Sequence, residues 1–165
     1  MQTTRLDIVM NTCGDLPPVG SDAPDFTLAD ATLDDLKLAD FKDVTLGLNI
    51  FPSIDTPTCQ KSVRQFNERL NALDGLQVLN VSVDLPFAQA RFCAAEGLER
   101  VKNASAFRSP EFGQAYGVEI IDTQRRGLLA RAVVVIRQGK VIFSELVKEL
   151  TEEPNYEAVL AAAQA

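Results

Sequence analysis

From about residue 44 to its end, the chain alternates short β-forming runs with segments of helical pattern. The first run, residues 44–51, is apolar at nearly every position and is followed by Pro52, which predicts a buried central strand. The pattern predicts these further elements in order: a helix at 57–72, a strand at 76–83, a helix from 86 to about 96, a short helix at 109–116, strands at 130–136 and 141–147 joined as a hairpin, and a last helix from 155 to about 163. This order predicts an α/β protein whose mixed central sheet carries helices on both faces.

The length of the chain fits one domain built on this sheet. It has 165 residues, of which 46% are hydrophobic, and it contains no internal repeat and no linker. The simplest architecture with this order of elements is thioredoxin-like. We therefore expect a single thioredoxin-like domain over residues 20–165, preceded by an N-terminal extension or hairpin region over residues 1–19.

The charge pattern argues against two classes of partner. The chain has 16 basic and 23 acidic residues, a net charge of −7, and no basic run, so we expect neither nucleic acid nor a membrane surface as a partner. No apolar stretch is long enough to span a bilayer. The first ten residues lack the features of a secretory signal, which favours the cytoplasm.

The absence of histidine limits the chemistry that the chain can perform. The sequence has no histidine and three cysteines, at positions 13, 59 and 93. The lack of histidine excludes Ser-His-Asp and Cys-His nucleophiles and His-ligated metal sites. The number and spacing of the cysteines exclude a Cys-x-x-Cys pair and a four-thiolate metal site. No nucleotide-binding motif occurs either, so we expect no metal and no cofactor. Any nucleophile must be activated by a helix terminus, by arginine or lysine, or by hydroxyl groups.

Cys59 is the best candidate for such a nucleophile. With Thr56 as N-cap and Pro57 at the first helical position, Cys59 is the third residue of its helix. Unpaired backbone N–H groups and the helix dipole favour a thiolate there. The same pattern also fits ordinary capping around a small buried cysteine, so the spacing alone leaves both interpretations open.

The segment Pro52-Ser-Ile-Asp-Thr56-Pro-Thr-Cys59 matches the Pro-x-x-x-Thr-x-x-Cys signature of the peroxiredoxins. The wider segment 49–67 resembles their bacterial thiol peroxidase branch, the atypical two-cysteine peroxiredoxins. Four later segments are similar to this branch and occur in the same order: 82–89 (SVDLPFAQ), 91–97 (RFCAAEG), 112–118 (FGQAYGV) and 128–136 (LLARAVVVI). The resemblance runs from about residue 20 to the end of the chain.

The resemblance implies a role for each matching residue. Cys59 would be the peroxidatic cysteine, which attacks a hydroperoxide and becomes a sulfenic acid. Thr56 would present its hydroxyl to the thiolate and the peroxide, and Pro52 would shield the sulfur from water. Arg131 would supply positive charge and paired donors that stabilise the thiolate and orient the peroxide. Arg64 is expected to be supporting at best, because Glu68 offers it an ordinary helix-surface pair.

Cys93 resembles the resolving cysteine of the thiol peroxidases. The resemblance implies an intrachain disulfide with Cys59, reduced afterwards by thioredoxin, in a protein that forms a homodimer. Because a disulfide requires Cα atoms within roughly 7 Å, we expect the first turn around Cys59 to unwind if the two cysteines start farther apart. Cys13 falls outside every motif and is expected to be incidental. The Lys-Gly-Asn-Pro turn usual near the N-terminus of this branch is missing, which puts the N-terminal hairpin in doubt.

Three alternatives remain beside a peroxidase that reduces hydrogen peroxide and organic hydroperoxides. They are a redox-inactive thioredoxin-fold binding module, a thiol–disulfide oxidoreductase, and an exported protein with a structural disulfide between Cys59 and Cys93. The absence of a Cys-x-x-Cys pair argues against the thiol–disulfide oxidoreductase. The joint presence of Thr56, Cys59 and Arg131 argues against the binding module. Three phenylalanines near the motifs would either line a groove for organic hydroperoxides or belong to the core: Phe51, Phe87 and Phe92.

Overall fold

Seven strands form one mixed sheet in the computed structural model, which describes residues 1–70 and 73–165. With the two strands of a separate hairpin, the described residues form nine strands: β1 (Gln2–Arg5), β2 (Ile8–Asn11), β3 (Thr27–Ala29), β4 (Asp35–Lys37), β5 (Thr45–Ile50), β6 (Leu76–Ser82), β7 (Lys102–Ser105), β8 (Ala132–Arg137) and β9 (Lys140–Leu146). The helices are α1 (Pro57–Arg69), α2 (Pro86–Glu96), α3 (Pro110–Ala115) and α4 (Tyr156–Gln164), with 3-10 turns at Leu38–Phe41 and Thr123–Arg125. The order across the large sheet is β4-β3-β7-β6-β5-β8-β9, while β1 and β2 pair only with each other.

The central strands are parallel and the outer ones antiparallel. Strand β6 lies between β5 and β7 and is parallel to both. Strand β8 runs antiparallel to β5 on one side, and β3 runs antiparallel to β7 on the other. The carboxyl end of β5 therefore lies beside the start of β8, where Ile50 pairs with Ala132.

Each face of the sheet is covered by its own core. Leu46, Leu48 and Ile50 of β5 pack with Phe112 and Tyr116, at α3 and its C-cap, on one face. On the other face, α1, α2 and α4 pack against the sheet with residues that include Phe66, Cys93 and Val159. The predicted thioredoxin-like fold, a mixed sheet with helices on both faces, is thereby confirmed.

The predicted elements agree with the structure where the sequence pattern is strong. The strand expected at 44–51 is β5, and the helix expected at 57–72 is α1, which ends at Arg69. Residues 71 and 72 of that prediction lie outside the described residues. Strands β3, β4 and β7 were not predicted, because they are short and because β7 reads Lys-Asn-Ala-Ser, without an apolar pattern.

The doubted N-terminal hairpin forms without the Lys-Gly-Asn-Pro turn. Leu6 and Asp7 make its two-residue connection, and both have positive φ angles, 48° and 69°. Two-residue hairpin loops require this geometry because it matches the twist of the strands. The hairpin is tied to the rest of the protein through Thr4, whose N–H donates to the carbonyl of Lys148 at 2.7 Å and whose carbonyl accepts from Leu150 N–H at 2.8 Å.

A small third core anchors this hairpin. Met10, which is fully buried, packs with Ile120, Ala130 and Leu150. The hairpin therefore lies next to the start of β8, and this position brings Arg5 to the site described below. Within the described residues, the helices are all too short or too polar to cross a bilayer.

Candidate active site

Cys59 lies in the first turn of α1, immediately after the loop that leaves β5. Thr56 is the N-cap, with extended φ and ψ angles of −113° and 144°, and Pro57 occupies the first turn. Cys59 is the third residue of the helix and its exposed fraction is 0%. Cys59 therefore occupies the predicted position in the first turn of its helix.

Arg131 reaches this buried sulfur from the start of β8. Its Nη2 and Nη1 atoms lie 3.5 and 3.6 Å from Cys59 Sγ, and Nη2 also donates to the carbonyl of Leu150 at 2.8 Å. Arg131 as a whole residue is only 1% exposed. The two residues are 72 positions apart in sequence and meet because Ile50 and Ala132 pair at the ends of β5 and β8.

The contact has a clear electrostatic consequence. A buried guanidinium has lost its hydration and needs a negative partner, and the thiolate form of Cys59 supplies one. Within the described part of the chain, Arg131 Nε is buried without a hydrogen-bond partner. Arg131 therefore directs its two terminal nitrogens to the sulfur and keeps one buried N–H, at Nε, without an acceptor.

Glu153 belongs to the same charged surroundings. Burial would raise the pKa of its carboxyl group, but hydrogen bonds from Lys61 and Tyr156, together with the charges of Lys61 and Arg131, hold that pKa below its usual range. Lys61 Nζ lies 2.9 Å from a Glu153 oxygen. Glu153 is therefore an anion that is already matched by a lysine on α1.

The loop between β5 and α1 is held by a carboxylate that the sequence did not single out as a site residue. Asp84 accepts hydrogen bonds from Ile54 N–H at 2.7 Å, from Ser53 Oγ at 2.8 Å and from Ser82 Oγ at 2.6 Å. The only sequence signal for it is its place in the segment 82–89. Asp84 fixes the loop that contains Pro52 and precedes Cys59.

Pro52 and Thr56 lie where the sequence predicted, beside the cysteine. Pro52 is buried. The Thr56 hydroxyl donates its proton to the carbonyl of Ser53 at 2.9 Å, so its oxygen remains able to accept a hydrogen bond. Both residues line a cleft that also includes Arg131.

This cleft has a volume of about 400 Å³, and although Cys59 is not among its described lining residues, Arg131, which contacts the sulfur, is. Its lining combines apolar, hydroxyl and guanidinium groups: Arg5, Pro52, Ser53, Thr56, Pro57, Thr58, Gln124, Arg125, Leu128, Arg131, Leu150 and Thr151. The three phenylalanines considered from the sequence are not among the described residues that line it. Phe51 and Phe92 belong to the core around α1 and α2, and Phe87 is 55% exposed.

A row of three asparagines connects the two buried cysteines across the sheet. Asn49, Asn80 and Asn103 pair in register on β5, β6 and β7. Asn49 Nδ2 donates to Asn80 Oδ1, and Asn80 Nδ2 donates to Asn103 Oδ1, each at 3.0 Å. At one end, Asn49 Nδ2 also donates to Ser62 Oγ at 3.2 Å, and this hydroxyl donates to the Cys59 carbonyl at 2.8 Å.

Cys93 lies at the other end of this asparagine row. It projects from α2, is 7% exposed, and its Sγ accepts a hydrogen bond from Asn103 Nδ2 at 3.4 Å. Burial raises the pKa of the Cys93 thiol, and the hydrogen bond from Asn103 acts in the opposite direction without cancelling it. Cys59 and Cys93 both carry free thiols in this structure.

Arg64 pairs with a different residue from the one expected. Instead of Glu68, its partner is Glu96 at the end of α2, with Nε and Nη2 donating to the two carboxylate oxygens at 2.8 Å each. The guanidinium also stacks over the Phe92 ring, 5.3 Å from its centroid. The expectation of a helix-surface pair was wrong because the neighbouring helix offers a bidentate carboxylate and an aromatic face.

Cys13 is far from this chemistry. Cys13 is exposed, and its Sγ lies 3.3 Å from the carbonyl oxygen of Gly113, on the opposite side of the sheet from α1. Nothing in the described contacts connects it with Cys59 or Cys93.

Known proteins place this site in a family. Residues 18–160 match the Redoxin family. A thiol peroxidase from Mycobacterium tuberculosis is 55% identical over 162 residues, which cover 98% of this chain and 97% of that protein. A thiol peroxidase from Corynebacterium glutamicum is 47% identical over 152 residues, 92% of each chain. The crystal structure of a peroxiredoxin-like protein from Aquifex aeolicus superimposes with a TM-score of 0.92 at 36% identity, covering 99% of this chain and 95% of that one.

The family match spans most of the chain, and the relatives span nearly all of it, including the loop and helix that carry Cys59. The chain therefore belongs to the Redoxin family, as a thiol peroxidase of the thioredoxin-like fold.

Proposed function

We propose that the chain reduces hydroperoxides in two thiol steps, with Cys59 as the peroxidatic and Cys93 as the resolving cysteine. In the first step the Cys59 thiolate attacks the terminal peroxide oxygen, the O–O bond breaks, and the departing oxygen takes a proton to leave as water or an alcohol. The sulfur is thereby oxidised to a sulfenic acid. The observation that carries this proposal is the contact between the Arg131 guanidinium and Cys59 Sγ, at 3.5 and 3.6 Å inside the protein.

Arg131, Thr56 and Pro52 are proposed to assist this first step. Arg131 offsets the charge of the thiolate and directs Nη1 and Nη2 to the sulfur that the peroxide approaches, and the Thr56 oxygen, whose own proton is donated to Ser53, accepts the hydroperoxide O–H. Fixed donors at the position where charge develops lower the barrier because they need no reorganisation during the reaction. Pro52 covers the sulfur from the cleft side and limits access of water.

In the second step Cys93 is proposed to attack the sulfenic sulfur. The S–O bond breaks, water leaves, and an intrachain disulfide forms. Cys93 Sγ contacts Asn103 on β7, whereas Cys59 Sγ contacts Arg131, two residues before Val133 of β8. Asn103 and Val133 stand in the same row of the sheet, three strand spacings apart, which is about 14 Å.

The two sulfurs thus contact residues on or next to strands that are three positions apart in the sheet, and this supports a rearrangement between the two steps. A disulfide requires Cα atoms within roughly 7 Å. We propose that the first turn of α1 unwinds, with a matching shift of α2, after Cys59 has been oxidised. The reduced state keeps both helices intact, and the oxidised state differs locally around Cys59 and Cys93.

The remaining parts of the proposal concern partners and setting. A thioredoxin-type dithiol would reduce the disulfide, and such a cycle suits a reducing cytoplasm. Residues 20–165 would form the catalytic domain, and residues 1–19 would form an extension that packs beside the cleft.

A homodimer is supported by three exposed apolar side chains that follow the neighbouring ends of β6 and β7, namely Leu85, Phe87 and Phe107. Phe87→Asp should then convert a dimer, measured by light scattering, into a monomer.

Two alternatives raised by the sequence lose support at this site. A redox-inactive binding module has no use for a guanidinium buried against a thiol. A structural disulfide is not needed, because the fold is complete with Cys59 and Cys93 as free thiols.

Mass spectrometry after one equivalent of peroxide tests the two-step scheme. Cys13→Ser removes the exposed thiol from all samples. The parent protein should lose two hydrogen atoms and yield a peptide in which Cys59 and Cys93 are joined. Cys93→Ser should instead hold a sulfenic acid that dimedone labels at Cys59. A dimedone adduct at Cys93, or a disulfide that still forms with Cys59 replaced, would overturn the assignment.

A further inference from the structure

The cleft beside Cys59 is positively charged in a protein that is negatively charged overall. The net charge of the chain is −7. Three of the residues that line the cleft are arginines, Arg5, Arg125 and Arg131, and no aspartate or glutamate of the described chain is among them. Because Arg131 is already engaged with Cys59 and Leu150, the other two arginines need a separate explanation.

Arg5 and Arg125 are half-buried and unmatched. Across residues 1–70 and 73–165, neither guanidinium forms an ion pair within 4.0 Å or a side-chain hydrogen bond. Other cations of this chain do find carboxylates: Arg64 pairs with Glu96, and Lys61 pairs with Glu153. Two partly desolvated guanidinium groups in one concavity favour an anion between or above them.

Two separate elements bring these arginines to the cleft. Arg5 is the last residue of β1, in the hairpin that Thr4 ties to Lys148 and Leu150. Arg125 ends the 3-10 turn that precedes β8. The cleft therefore combines a reactive end formed by the β5–α1 loop with a cationic rim contributed by the extension and by the segment before β8.

The cleft is also larger and more apolar than hydrogen peroxide requires. A water molecule occupies about 30 Å³ in the liquid, and hydrogen peroxide is only slightly larger, whereas this cleft has a volume of about 400 Å³. Pro57, Leu128 and Leu150 contribute an apolar wall to its lining. A cleft that combines an apolar wall with charged groups fits an organic molecule that carries an anionic group.

We propose that Arg5 and Arg125 form a carboxylate-binding subsite that selects organic hydroperoxides carrying a carboxylate. The peroxide group lies at Cys59 and Arg131, the hydrocarbon part lies along the apolar wall, and the carboxylate is bound by the two rim arginines. This inference rests on the proposed peroxidase function and adds a substrate class to it. The chemical step is the one given above, and the carboxylate takes no part in it.

A pair of substrates that differ only in charge tests the subsite. Linoleic acid hydroperoxide and its methyl ester, both below their micelle-forming concentrations, are mixed with the reduced protein in single-turnover stopped flow, with hydrogen peroxide as a third substrate. The variants are Arg5→Gln, Arg125→Gln, the double variant, and Arg5→Lys with Arg125→Lys to retain charge. Arg100→Gln is the matched control, because Arg100 is exposed and does not line the cleft.

The parent protein should oxidise faster with the acid than with the ester, by about fivefold or more at low ionic strength, and salt should reduce this preference. Each glutamine variant should slow the reaction with the acid by about three- to fivefold, and the double variant should bring the acid-to-ester ratio close to one. The loss with the acid should exceed the loss with the ester or with hydrogen peroxide. The double lysine variant should retain a preference for the acid, and Arg100→Gln should retain it fully.

Three results would overturn the subsite. The first is an acid-to-ester ratio of one in the parent protein while hydrogen peroxide is still reduced. The second is an equal loss with all three substrates in the double variant, which would mean that the arginines act through the thiolate or the fold. The third is unchanged single-turnover rates combined with slower turnover by reduced thioredoxin, which would assign the rim to an acidic protein surface. If the parent protein reduces none of the three peroxides, the proposed function itself fails.

Discussion

Arg64 of α1 and Glu96 of α2 form a bidentate ion pair that joins the helix carrying Cys59 to the helix carrying Cys93. Phe92 lies under the same guanidinium. Hydrogen bonds from Arg64 also hold the pKa of Glu96 below its usual range. In the proposed scheme a disulfide between the two cysteines requires these helices to rearrange, and the ion pair would then stabilise the state that exists before disulfide formation.

Arg64→Gln should therefore speed the second chemical step. Without the ion pair, the intact arrangement of α1 and α2 is less favoured, and we expect disulfide formation after peroxide oxidation to be about two- to threefold faster. The first step should change less. Rapid-quench trapping of the sulfenic acid measures both rates. The effect should require pH values above the lowered pKa of Glu96, because protonation of Glu96 removes the pair in the parent protein as well.

Glu68→Gln is the matched control for this prediction. Glu68 is exposed one helical turn beyond Arg64 and is not its partner in the described structure. An equal acceleration in Glu68→Gln, or slower disulfide formation in Arg64→Gln, would contradict the role given to the ion pair.

Asn103 should control the ionisation of Cys93. Burial raises the pKa of the Cys93 thiol above its ordinary value of 9.0, and the hydrogen bond from Asn103 opposes this shift. In a chain with Cys13→Ser and Cys59→Ser, the rate of alkylation by iodoacetamide should rise with pH, with a midpoint above 9.0, because only the thiolate reacts.

Asn103→Leu should move that midpoint to still higher pH, since burial is retained and the opposing hydrogen bond is lost. Thr32→Val, at an exposed turn remote from the asparagine row, serves as the control and should leave the midpoint unchanged. A midpoint below 9.0 in the parent, or a downward shift in Asn103→Leu, would show that the folded environment of Cys93 is not the one described.

Asp84→Ala should destabilise the loop that leads to Cys59. The substitution leaves the Ile54 N–H and two serine hydroxyls without their acceptor, and each unsatisfied buried group costs about 1–3 kcal/mol. We expect the free energy of unfolding in urea to fall by at least the cost of one such group, about 1–3 kcal/mol, together with slower oxidation of Cys59. Asp74→Ala, an exposed turn residue, should change neither quantity measurably.

The sequence predicted most of the fold because its strongest elements carry their own signals. Strand β5 is apolar at nearly every position, α1, α2 and α3 begin at prolines, and the β8–β9 hairpin has alternating flanks around a glycine. Strands β3, β4 and β7 have no such pattern, since they are short segments whose pairing partners supply the order. Pairing of this kind depends on distant residues and leaves little trace in a local window.

The site was predictable only in part. Helix capping places Cys59 at a helix start, but its contact with Arg131 spans 72 residues, and only the family resemblance connected the two. Asn49 and Asn80 did leave a signal, as polar residues inside otherwise apolar strands. The partner of Arg64 could not be predicted, because Glu96 comes close only through the packing of α1 against α2.

The contact between Arg131 and the Cys59 sulfur is the centre of this account, and single-turnover oxidation of reduced protein by cumene hydroperoxide tests it most directly. All samples carry Cys13→Ser. The parent protein should react far faster than a free thiol, Cys59→Ser should not react, and Cys93→Ser should react once and stop at the sulfenic acid. Arg131→Gln should slow the oxidation by about 10²–10³-fold, the usual effect of removing one fixed donor from a reacting centre. If the parent protein reacts no faster than a free thiol, or if Arg131→Gln, shown to be folded by circular dichroism, reacts as fast as the parent, the central claim is wrong.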